Sequence, residues 1–511
     1  MKRLCEIQAP VARPERILQF GEGNFLRAFV DWMVQKINDR GLWNGSVVLV
    51  QPIAQGLAPL INQNKGMYTV LLRGIEKGEV VEEVTRIDSV SRCINPYAEY
   101  DAYLACAENP DLRFIISNTT EAGIAYQGGC TKDDRPPASF PAKVAQFLYH
   151  RWRFFKGDPN KGIVLIPCEL IDRNGDTLKR VVLQYAAEWG YEKAFTDWLE
   201  KSCAFLNSLV DRIVTGYPKE EAPLLWEKLG YQDELLDTAE PFNLWVIEGD
   251  SRYGEELPFH KAGCNVLWVP DMTPYRTRKV RILNGAHTAS VLIAYLAGFN
   301  TVKEMVDSPV GKAYLERLLY QEVMPLLPLP KEEVEAFAAS TLERFANPYI
   351  KHRLLDISLN SVSKYKARVL PSLLEAIQAG NSRGTAPAQA APVLVFSLAA
   401  LIAFYRGSAM ENNALVGKRQ GESYPIRDDL PVLEACMSLW QQFERALAAG
   451  APPNKAAEEL VQAVLARTDW WGEDLRSYGG LSDAVTAALI LILEKGPQAA
   501  MEQVAFQGRI G

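Results

Sequence analysis

The sequence predicts an α/β domain with a doubly wound parallel sheet over residues 1–270, followed by an all-α domain over residues 271–511. The chain of 511 residues is longer than a usual single domain. In its first half, short apolar strands alternate with helices, which is the pattern of a parallel α/β sheet. From Pro274 onward no convincing strand pattern is found, so the rest of the chain is predicted to be helical.

The first predicted element is the apolar strand Arg16–Phe20, which runs into a glycine turn and then into a helix over Phe25–Ile37. Strand, glycine turn and helix are the context of a dinucleotide-binding fingerprint in a Rossmann-type domain. Gly21 would permit the tight turn, and Gly23 would let the backbone approach a pyrophosphate at the helix N-terminus. The third glycine of the usual fingerprint is absent, so the pattern alone also fits an ordinary strand–helix turn.

Further strands are predicted where short apolar runs end at turn residues. They are Ser46–Val50, the pair Met67–Arg73 and Val80–Ser91, and Leu112–Ser117, Gly162–Pro167, Phe242–Ile247 and Val266–Val269. Gln51 stands at the end of the strand Ser46–Val50, where a carboxylate commonly binds the ribose diol of NAD, so such a carboxylate is not predicted there. Asn118-Thr119-Thr120-Glu121 follows the central strand, where ligands bind in open α/β sheets, although a polar turn fits as well.

The second half is predicted to contain helices that pack as a bundle. Thr301–Glu304 is a capping box, and the apolar run Val393–Tyr405 is a buried helix too short to span a bilayer. Other helices are predicted at Pro330–Phe345, Glu434–Ala449, Lys455–Ala466 and Ser482–Glu494. The polar stretch Gly407–Asp429 is predicted to be an exposed excursion without regular structure.

The stretch Tyr275–His287, at the start of the helical half, places three functional groups on one flank. In a regular helix, Asn284 lies about 140° and His287 about 80° around the axis from Lys279. A lysine, an amide and an imidazole supply a titratable base and two donors, which suits proton transfer to or from an alcohol. On spacing alone, a basic helix with a structural histidine is the better interpretation.

Composition excludes several classes of protein. The net charge is −7 and the basic residues are scattered except at Arg276–Arg281, so no nucleic-acid partner is expected. Eight cysteines lie far apart and the four histidines are not clustered, so neither disulfides nor a metal site are expected. No secretory segment or membrane span is predicted, which indicates a cytoplasmic protein without a membrane partner.

The segment Lys279-Val-Arg-Ile-Leu-Asn284-Gly-Ala-His287 resembles the catalytic signature of the polyol-specific long-chain dehydrogenases, the mannitol dehydrogenase family. The resemblance extends over nearly the whole chain. It includes Ile17–Phe29, Ser117–Ile124, Pro167–Ile171, Leu209–Pro218 and Arg344–Ile350. It implies a metal-independent oxidoreductase that uses NAD as its cofactor.

The resemblance also implies roles for individual residues. Lys279 would be the general base, Asn284 and His287 would hold the reacting oxygen, and Asp211 would belong to the proton path near the lysine. Lys364 matches a substrate-site lysine of the family. The cofactor loop would comprise Phe20, Gly21, Gly23, Asn24, Phe25 and Arg27. Within this loop, Arg27 would lie near the phosphates. A second segment would lie beside the nicotinamide, and its residues are Asn118, Thr119, Thr120 and Glu121. For Asp211, an ion pair with Arg212 is the structural alternative, and for Lys364 a surface position.

At one position the sequence departs from the family pattern. Mannitol-type members carry a second oxygen-holding asparagine where this chain has Leu170, and Asn174 is the candidate to replace it. Arg278 and Arg281 flank Lys279 and would lower its pKa, and Arg278 would also bind a substrate carboxylate. The alternative is that these arginines pair with acidic residues of the chain or with the cofactor's phosphates.

The substrate is therefore expected to be a small keto sugar acid. The implied reaction is hydride transfer between D-tagaturonate and D-altronate in hexuronate catabolism, with no prediction for the oligomeric state. A mannonate-type or mannitol-type dehydrogenase of the same family remains an alternative. A non-catalytic NAD-binding sensor is the alternative from a different class.

Overall fold

The structure is a computed structural model that describes residues 1–120, 123–508 and 510. The chain divides into two compact units, Met1–Thr273 and Pro274–Gly511. Glu121, one of the predicted cofactor residues, lies outside the described residues.

The N-terminal unit contains strands that are numbered along the chain. They are β1 (Glu15–Phe20), β2 (Ser46–Val50), β3 (Tyr68–Glu76), β4 (Glu79–Ile87), β5 (Val90–Ile94), β6 (Phe114–Ser117), β7 (Val164–Pro167), β8 (Ala204–Phe205), β9 (Asn207–Asp211), β10 (Val214–Gly216), β11 (Asp237–Ala239), β12 (Leu244–Glu248) and β13 (Val266–Val269). Its α-helices are α1 (Leu4–Ile7), α2 (Asn24–Leu26), α3 (Trp32–Asp39), α4 (Ala58–Gln63), α5 (Tyr100–Ala105), α6 (Phe140–Phe154), α7 (Asn174–Glu188), α8 (Lys193–Ser202), α9 (Ala222–Leu229) and α10 (Arg252–Glu256).

The main sheet of this unit is parallel and has the order β5-β2-β1-β6-β7-β8. Counted within this sheet alone, that order is 3-2-1-4-5-6, the strand order of a Rossmann fold. Alternate side chains of each strand point to opposite sides of the sheet, and apolar side chains cover both sides. On β1, Ile17 packs in one core cluster with Phe29, whereas Phe20 packs in the other with Phe147. The predicted doubly wound sheet is confirmed.

Two smaller sheets complete the N-terminal unit, in the orders β10-β11-β3-β4 and β13-β12-β9. The predicted hairpin is present, since β3 and β4 pair antiparallel from Tyr68–Ile87 to Glu76–Glu79. Strand β9 was not predicted, although it carries the candidate proton-path residue Asp211. Its pairing partner, Leu244–Glu248, lies more than thirty residues further along the chain, so the local pattern carried little signal.

The C-terminal unit is mainly helical, as predicted. Its α-helices are α11 (Thr273–Lys279), α12 (Gly285–Leu296), α13 (Val302–Asp307), α14 (Pro309–Glu316), α15 (Lys331–Phe345), α16 (Leu354–Ile357), α17 (Ser361–Arg368), α18 (Leu370–Asn381), α19 (Pro387–Ala390), α20 (Pro392–Phe404), α21 (Leu430–Ala448), α22 (Pro453–Leu465), α23 (Thr468–Trp471), α24 (Leu481–Lys495) and α25 (Pro497–Gln507). Among the described residues, no helix is long and apolar enough to cross a membrane.

The stretch predicted to be an irregular excursion is in fact a small antiparallel sheet. It is formed by β14 (Gly407–Glu411), β15 (Ala414–Arg419) and β16 (Glu422–Ile426). Both connections are two-residue turns with positive φ, Asn412-Asn413 and Gln420-Gly421. Such turns match the twist of a hairpin, and asparagine and glycine favour them. The turn residues could therefore have predicted these hairpins. The stretch was instead predicted to be irregular because it is polar.

Helix α20 is buried along its whole length, and its N-terminus is capped by a distant carboxylate. Glu322 accepts hydrogen bonds from the backbone amides of Val393 and Leu394, each at 2.9 Å. These bonds satisfy two of the amides that have no partner within a helix. Burial outweighs them and raises the pKa of Glu322 to about 8.

Replacing Glu322 with glutamine should remove a pH dependence of the local stability. Because the folded pKa lies above the unfolded value of 4.5, the native state holds this proton longer, and stability falls as the pH rises between the two values. The expected slope is about 1.4 kcal/mol per pH unit. Hydrogen exchange of the α20 amides between pH 5 and 8 measures it, with exposed Glu459→Gln as the control. Equal slopes in wild type and Glu322→Gln would contradict the prediction.

Candidate active site

The glycine turn after β1 has the strained geometry that the fingerprint predicts at its first position. Gly21 has φ of 120°, and its amide donates to the carbonyl oxygen of Val50 at 3.0 Å. A Cβ at Gly21 would lie 2.9 Å from the carbonyl oxygen of Asn118, so no other residue fits without displacing that loop. Gly23 precedes α2 at its N-cap, and a Cβ there would meet nothing within 4 Å. The open space beside Gly23 is what a bound pyrophosphate requires.

Two residues predicted for the cofactor loop point away from it, and these predictions are corrected. Arg27 is buried, and its Nη1 donates to the carbonyl oxygen of Leu235 while its Nη2 donates to Asn24 Oδ1, each at 2.6 Å. Its guanidinium also lies 3.6 Å from Asp237. Arg27 is therefore a structural residue of the core, and its side chain is not exposed to a ligand. Phe20 is likewise buried in the sheet, so only its backbone borders the turn.

The other predicted loop residues lie nearer the surface. Asn24 is exposed at the first position of α2, and the Phe25 ring is half-buried and stacks on Phe29 with 5.0 Å between ring centroids. Glu22, between the two glycines, was not predicted to have a role. Its Oε1 accepts a hydrogen bond from the amide of Leu57 at 3.3 Å, and burial raises its pKa. A Cβ at Gly56 would lie within 3 Å of both Glu22 Oε1 and the Gln51 side chain, so these two side chains are neighbours. A carboxylate thus lies close to the position where sequence analysis found only Gln51.

The loop after β6 is held by a buried carboxylate that sequence analysis also missed. Glu169 accepts hydrogen bonds from the amide and hydroxyl of Thr119 at 3.0 and 2.9 Å, and from the Ser117 hydroxyl at 3.0 Å. Burial raises the pKa of Glu169 despite these donors. Asn118 is tied to the same region through its side chain, which donates to the carbonyl oxygen of Cys168 at 3.3 Å. Thr120 follows with a positive φ of 87° and is exposed.

We expect Glu169→Ala to weaken NADH binding by about tenfold or more. Each hydrogen bond to a charged group contributes roughly 1.5–3 kcal/mol, and losing three of them frees the Asn118–Thr119 segment. Titration of NADH fluorescence with wild type and variant measures the effect. Glu200→Ala, a substitution of an exposed carboxylate in the same unit, serves as the control. Unchanged affinity in Glu169→Ala would show that this loop does not bind the cofactor.

The prediction that Asn174 binds substrate is wrong. The side chain is completely buried, and its Nδ2 lies within hydrogen-bond distance of the carbonyl oxygens of Pro167, Glu169 and Ser208. Its Oδ1 accepts from the amides of Gly175 and Ser208. With all donors and acceptors used to join the end of β7 to β9, none is left for a ligand. Leu170, which stands where mannitol-type members carry the second asparagine, is 61% exposed.

Asp211 is buried at the end of β9, as a role in proton transfer would allow. The alternative to a catalytic role was an ion pair between Asp211 and Arg212, but the Arg212 guanidinium is bound by other groups. Its guanidinium donates instead to the carbonyl oxygens of Ala28, Pro241 and Phe242, at 2.7 to 3.0 Å.

In the C-terminal unit, the helix that carries the predicted catalytic residues is not a regular α-helix. A π turn over Val280–Asn284 separates α11, which ends at Lys279, from α12. In a π turn the hydrogen-bonded residues are five apart, so Lys279 and Asn284 lie nearly above one another and not about 140° apart. The angle predicted for a regular helix is therefore corrected, and the conclusion that the two share a flank becomes stronger.

Asn284 and His287 are poor candidates for structural residues. The Asn284 amide forms no hydrogen bond with any residue in the described part of the chain, although it is half-buried. The His287 ring is buried and stacks on Phe345 with 4.1 Å between centroids, and it lies 5.2 Å from the ring of His352. Its buried Nδ1 has no partner among the described residues. Burial, followed by the nearby cationic groups, lowers the pKa of His287 well below its usual value, so the imidazole is neutral.

The basic cluster around Lys279 is partly neutralised by acidic residues of its own unit. Arg281 forms a two-pronged ion pair with Glu375, at 2.5 and 2.6 Å. The buried Arg278 guanidinium lies 3.7 Å from Glu333 and 4.5 Å from the ring centre of Phe337. The prediction that Arg278 binds the substrate is therefore corrected, because these groups already surround its charge. The alternative of pairing within the chain is the one observed.

Lys364, by contrast, lies in the electrostatic surroundings of the predicted catalytic histidine. It is half-buried in α17, and its charge helps to lower the pKa of His287. The C-terminal unit thus brings Lys279, Asn284, His287 and Lys364 into one region, whereas Arg278 is turned into the packing. Within the described residues, no group of three or more histidine, cysteine or acidic side chains is arranged to hold a metal ion.

Both halves of the chain match models of one protein family. Residues 15–261 match the mannitol dehydrogenase Rossmann domain, and residues 271–493 match the mannitol dehydrogenase C-terminal domain. The chain belongs to the mannitol dehydrogenase family. Two solved structures have a similar fold. A D-sorbitol dehydrogenase in substrate-free form has a TM-score of 0.75 at 21% identity, covering 98% of this chain and 100% of its own.

Further proteins are similar to this chain in sequence or in fold. An altronate oxidoreductase from Escherichia coli O7:K1 (strain IAI39 / ExPEC) is 47% identical over 98% of this chain and 99% of its own length. One from Shigella flexneri is also 47% identical, with the same coverage. The mannitol 2-dehydrogenase of Pseudomonas fluorescens, in a ternary complex with NAD and D-mannitol, has a TM-score of 0.63 at 20% identity, covering 96% and 94% of the two chains.

Proposed function

We propose that this protein is an NAD-dependent oxidoreductase that interconverts D-tagaturonate and D-altronate. The observation that carries the proposal is the 47% identity, over nearly the full length of both chains, to proteins named altronate oxidoreductase. The predicted catalytic set of Lys279, Asn284 and His287 is present on one helix, which supports an enzyme over a non-catalytic sensor. Cytoplasmic turnover of a small keto sugar acid is part of the proposal.

The N-terminal unit has features suited to NAD. The parallel sheet has Rossmann order, and the space beside Gly23 lies at the N-terminus of α2, where backbone amides favour a pyrophosphate. Asn118, which donates to the carbonyl oxygen of Cys168, and Thr119, which donates to Glu169, would hold the nicotinamide side. The Glu22 carboxylate near the end of β2 would disfavour the 2′-phosphate of NADP. When bound, NADH supplies the hydride that reduces the keto carbon.

The C-terminal unit would supply the proton and hold the oxygen. In the reducing direction, the Lys279 ammonium donates its proton to the developing alkoxide, and in the oxidising direction the neutral amine removes the hydroxyl proton. The Asn284 amide donates a hydrogen bond to that oxygen. His287 is neutral, so its ring N–H can donate a hydrogen bond without competing with Lys279 for the proton transfer.

The purified protein tests this proposal in an assay of NADH oxidation with D-tagaturonate, D-fructuronate and D-fructose. We expect kcat/KM to be at least about tenfold higher for tagaturonate than for either alternative, and higher with NADH than with NADPH. A preference for fructuronate would place the chain with the mannonate-type enzymes, and a preference for fructose with the mannitol-type enzymes. NADH binding without turnover of any of them would indicate the sensor.

A further inference from the structure

Helix α17 presents two cationic side chains on one face. Lys364 and Arg368 are four residues apart, so they lie one turn above the other, and both are half-buried. The C-terminal end of α17 packs closely on α12, since a Cβ at Gly285 would lie 3.2 Å from the carbonyl oxygen of Arg368. The pair therefore borders the helix that carries Asn284 and His287.

No residue of the described chain neutralises Arg368. Its guanidinium forms no hydrogen bond or ion pair with any described residue. Lys364 Nζ donates to the carbonyl oxygen of Ile357 at 3.0 Å, which uses one of its three donors. Asp428 is the carboxylate that acts on the Lys364 charge, but it already accepts from the amide of Val362 and the hydroxyl of Tyr405.

This arrangement is costly without an anion. Like charges four residues apart on a helix repel each other, and a partly buried guanidinium without a partner loses hydration that nothing replaces. Burial lowers the pKa of both Lys364 and Arg368, because the charged form of each group loses hydration. By comparison, the charge of Arg281 in the same unit is neutralised by a carboxylate, because Glu375 forms an ion pair with it.

The cluster also acts on the candidate catalytic histidine. Burial lowers the pKa of His287 most, and His352, Arg344, Arg368 and Lys364 lower it further, so these groups lie near the side chain that is proposed to hold the reacting oxygen. A ligand whose oxygen reaches His287 thus enters a region of positive potential. A neutral ketose would leave that potential uncompensated, whereas a keto sugar acid carries the charge that offsets it.

We propose that Arg368, supported by Lys364, binds the carboxylate of the sugar-acid substrate and selects acids over neutral ketoses. This inference rests on the proposed function, because it takes the substrate of that site to be a keto acid. A guanidinium can hold a carboxylate through two parallel hydrogen bonds. These bonds would neutralise the charge of the substrate carboxylate and also orient the carbon chain of the substrate. Arg368 is a specificity residue in this scheme, and Lys279 retains the proton transfer.

The test compares Arg368→Met and Arg368→Lys with wild type on two substrates. One is D-tagaturonate, and the other is the ketohexose in which a hydroxymethyl group replaces its carboxylate. For Arg368→Met we expect KM for tagaturonate to rise about tenfold to hundredfold, the range for one hydrogen bond between charged groups, with kcat nearly unchanged. The kcat/KM for the neutral ketohexose should stay within about twofold of wild type. Arg368→Lys should recover part of the lost affinity.

Arg383→Met is the matched control, because Arg383 is exposed on the same unit and donates only to the carbonyl oxygen of Ala379. It should leave both substrates unaffected. Equal losses for the acid and the neutral ketose in Arg368→Met would make Arg368 a structural residue and overturn the proposal, and so would an unchanged KM for tagaturonate. A wild type that prefers another keto acid, with the same selective loss in Arg368→Met, would overturn the proposed substrate while supporting the carboxylate site.

Discussion

Replacing Lys279 with alanine is expected to lower kcat for keto-acid reduction by about 10²- to 10⁴-fold, the contribution typical of one general acid–base group. The variant keeps Asn284 and His287, so hydrogen bonding to the reacting oxygen remains while the proton donor is lost. Affinity for NADH should be unchanged, since the candidate cofactor loops belong to the N-terminal unit. Steady-state rates and NADH fluorescence titration measure the two effects separately.

Lys455→Ala removes an exposed lysine from the same unit and should have no effect on either measurement. The pH profile provides a further check, because the ionisation that belongs to Lys279 should disappear from kcat in the variant. Residual turnover above a few per cent of wild type would show that another group transfers the proton. The assignment of Lys279 would then be wrong, even if the protein proved to be the proposed enzyme.

The second large effect is expected in the glycine turn, where two similar substitutions should have different consequences. In Gly21→Ala, a φ of 120° costs a side-chain residue about 1–3 kcal/mol, and the new Cβ pushes on the carbonyl oxygen of Asn118. Both stability and NADH affinity should fall. In Gly23→Ala, the Cβ meets no protein atom within 4 Å, so stability should be retained while the methyl group obstructs the pyrophosphate.

Thermal unfolding and NADH titration distinguish these outcomes. We expect Gly21→Ala to lower the melting temperature by several degrees, and Gly23→Ala to leave it within one degree of wild type. Both should weaken NADH binding, by about tenfold or more for Gly23→Ala. Wild-type affinity in Gly23→Ala would mean that the pyrophosphate does not approach this turn, and wild-type stability in Gly21→Ala would contradict the strain argument.

Several features of the site followed from local sequence signals. The glycine turn could be predicted because strand, turn and helix are adjacent in the chain. The set of Lys279, Asn284 and His287 could be found because all three lie within nine residues of one helix. The i, i+4 spacing of Lys364 and Arg368 was also readable, although only Lys364 was singled out. In each case the relevant partners are close in sequence.

Other predictions depended on partners far along the chain. Arg27 donates to the carbonyl oxygen of Leu235, 208 residues away, and Arg281 pairs with Glu375, 94 residues away. Glu169 was missed because its partners, Ser117 and Thr119, precede it by about fifty residues. A local pattern cannot distinguish an arginine that meets a phosphate from one that meets a buried carbonyl oxygen.

The sequence by itself predicted the Rossmann-type parallel sheet, the helical second unit and the helix that is proposed to carry the catalytic residues. These depend on residue periodicity, turn residues and a continuous motif, which are local properties of the chain. Only the tertiary structure decided which polar and charged side chains remain available to bind a ligand. It turned Arg27, Asn174 and Arg278 into the packing and left Arg368 without a partner among the described residues. The physical reason is that hydrogen-bond and ion-pair partners are chosen by proximity in the folded chain, which residue spacing does not encode.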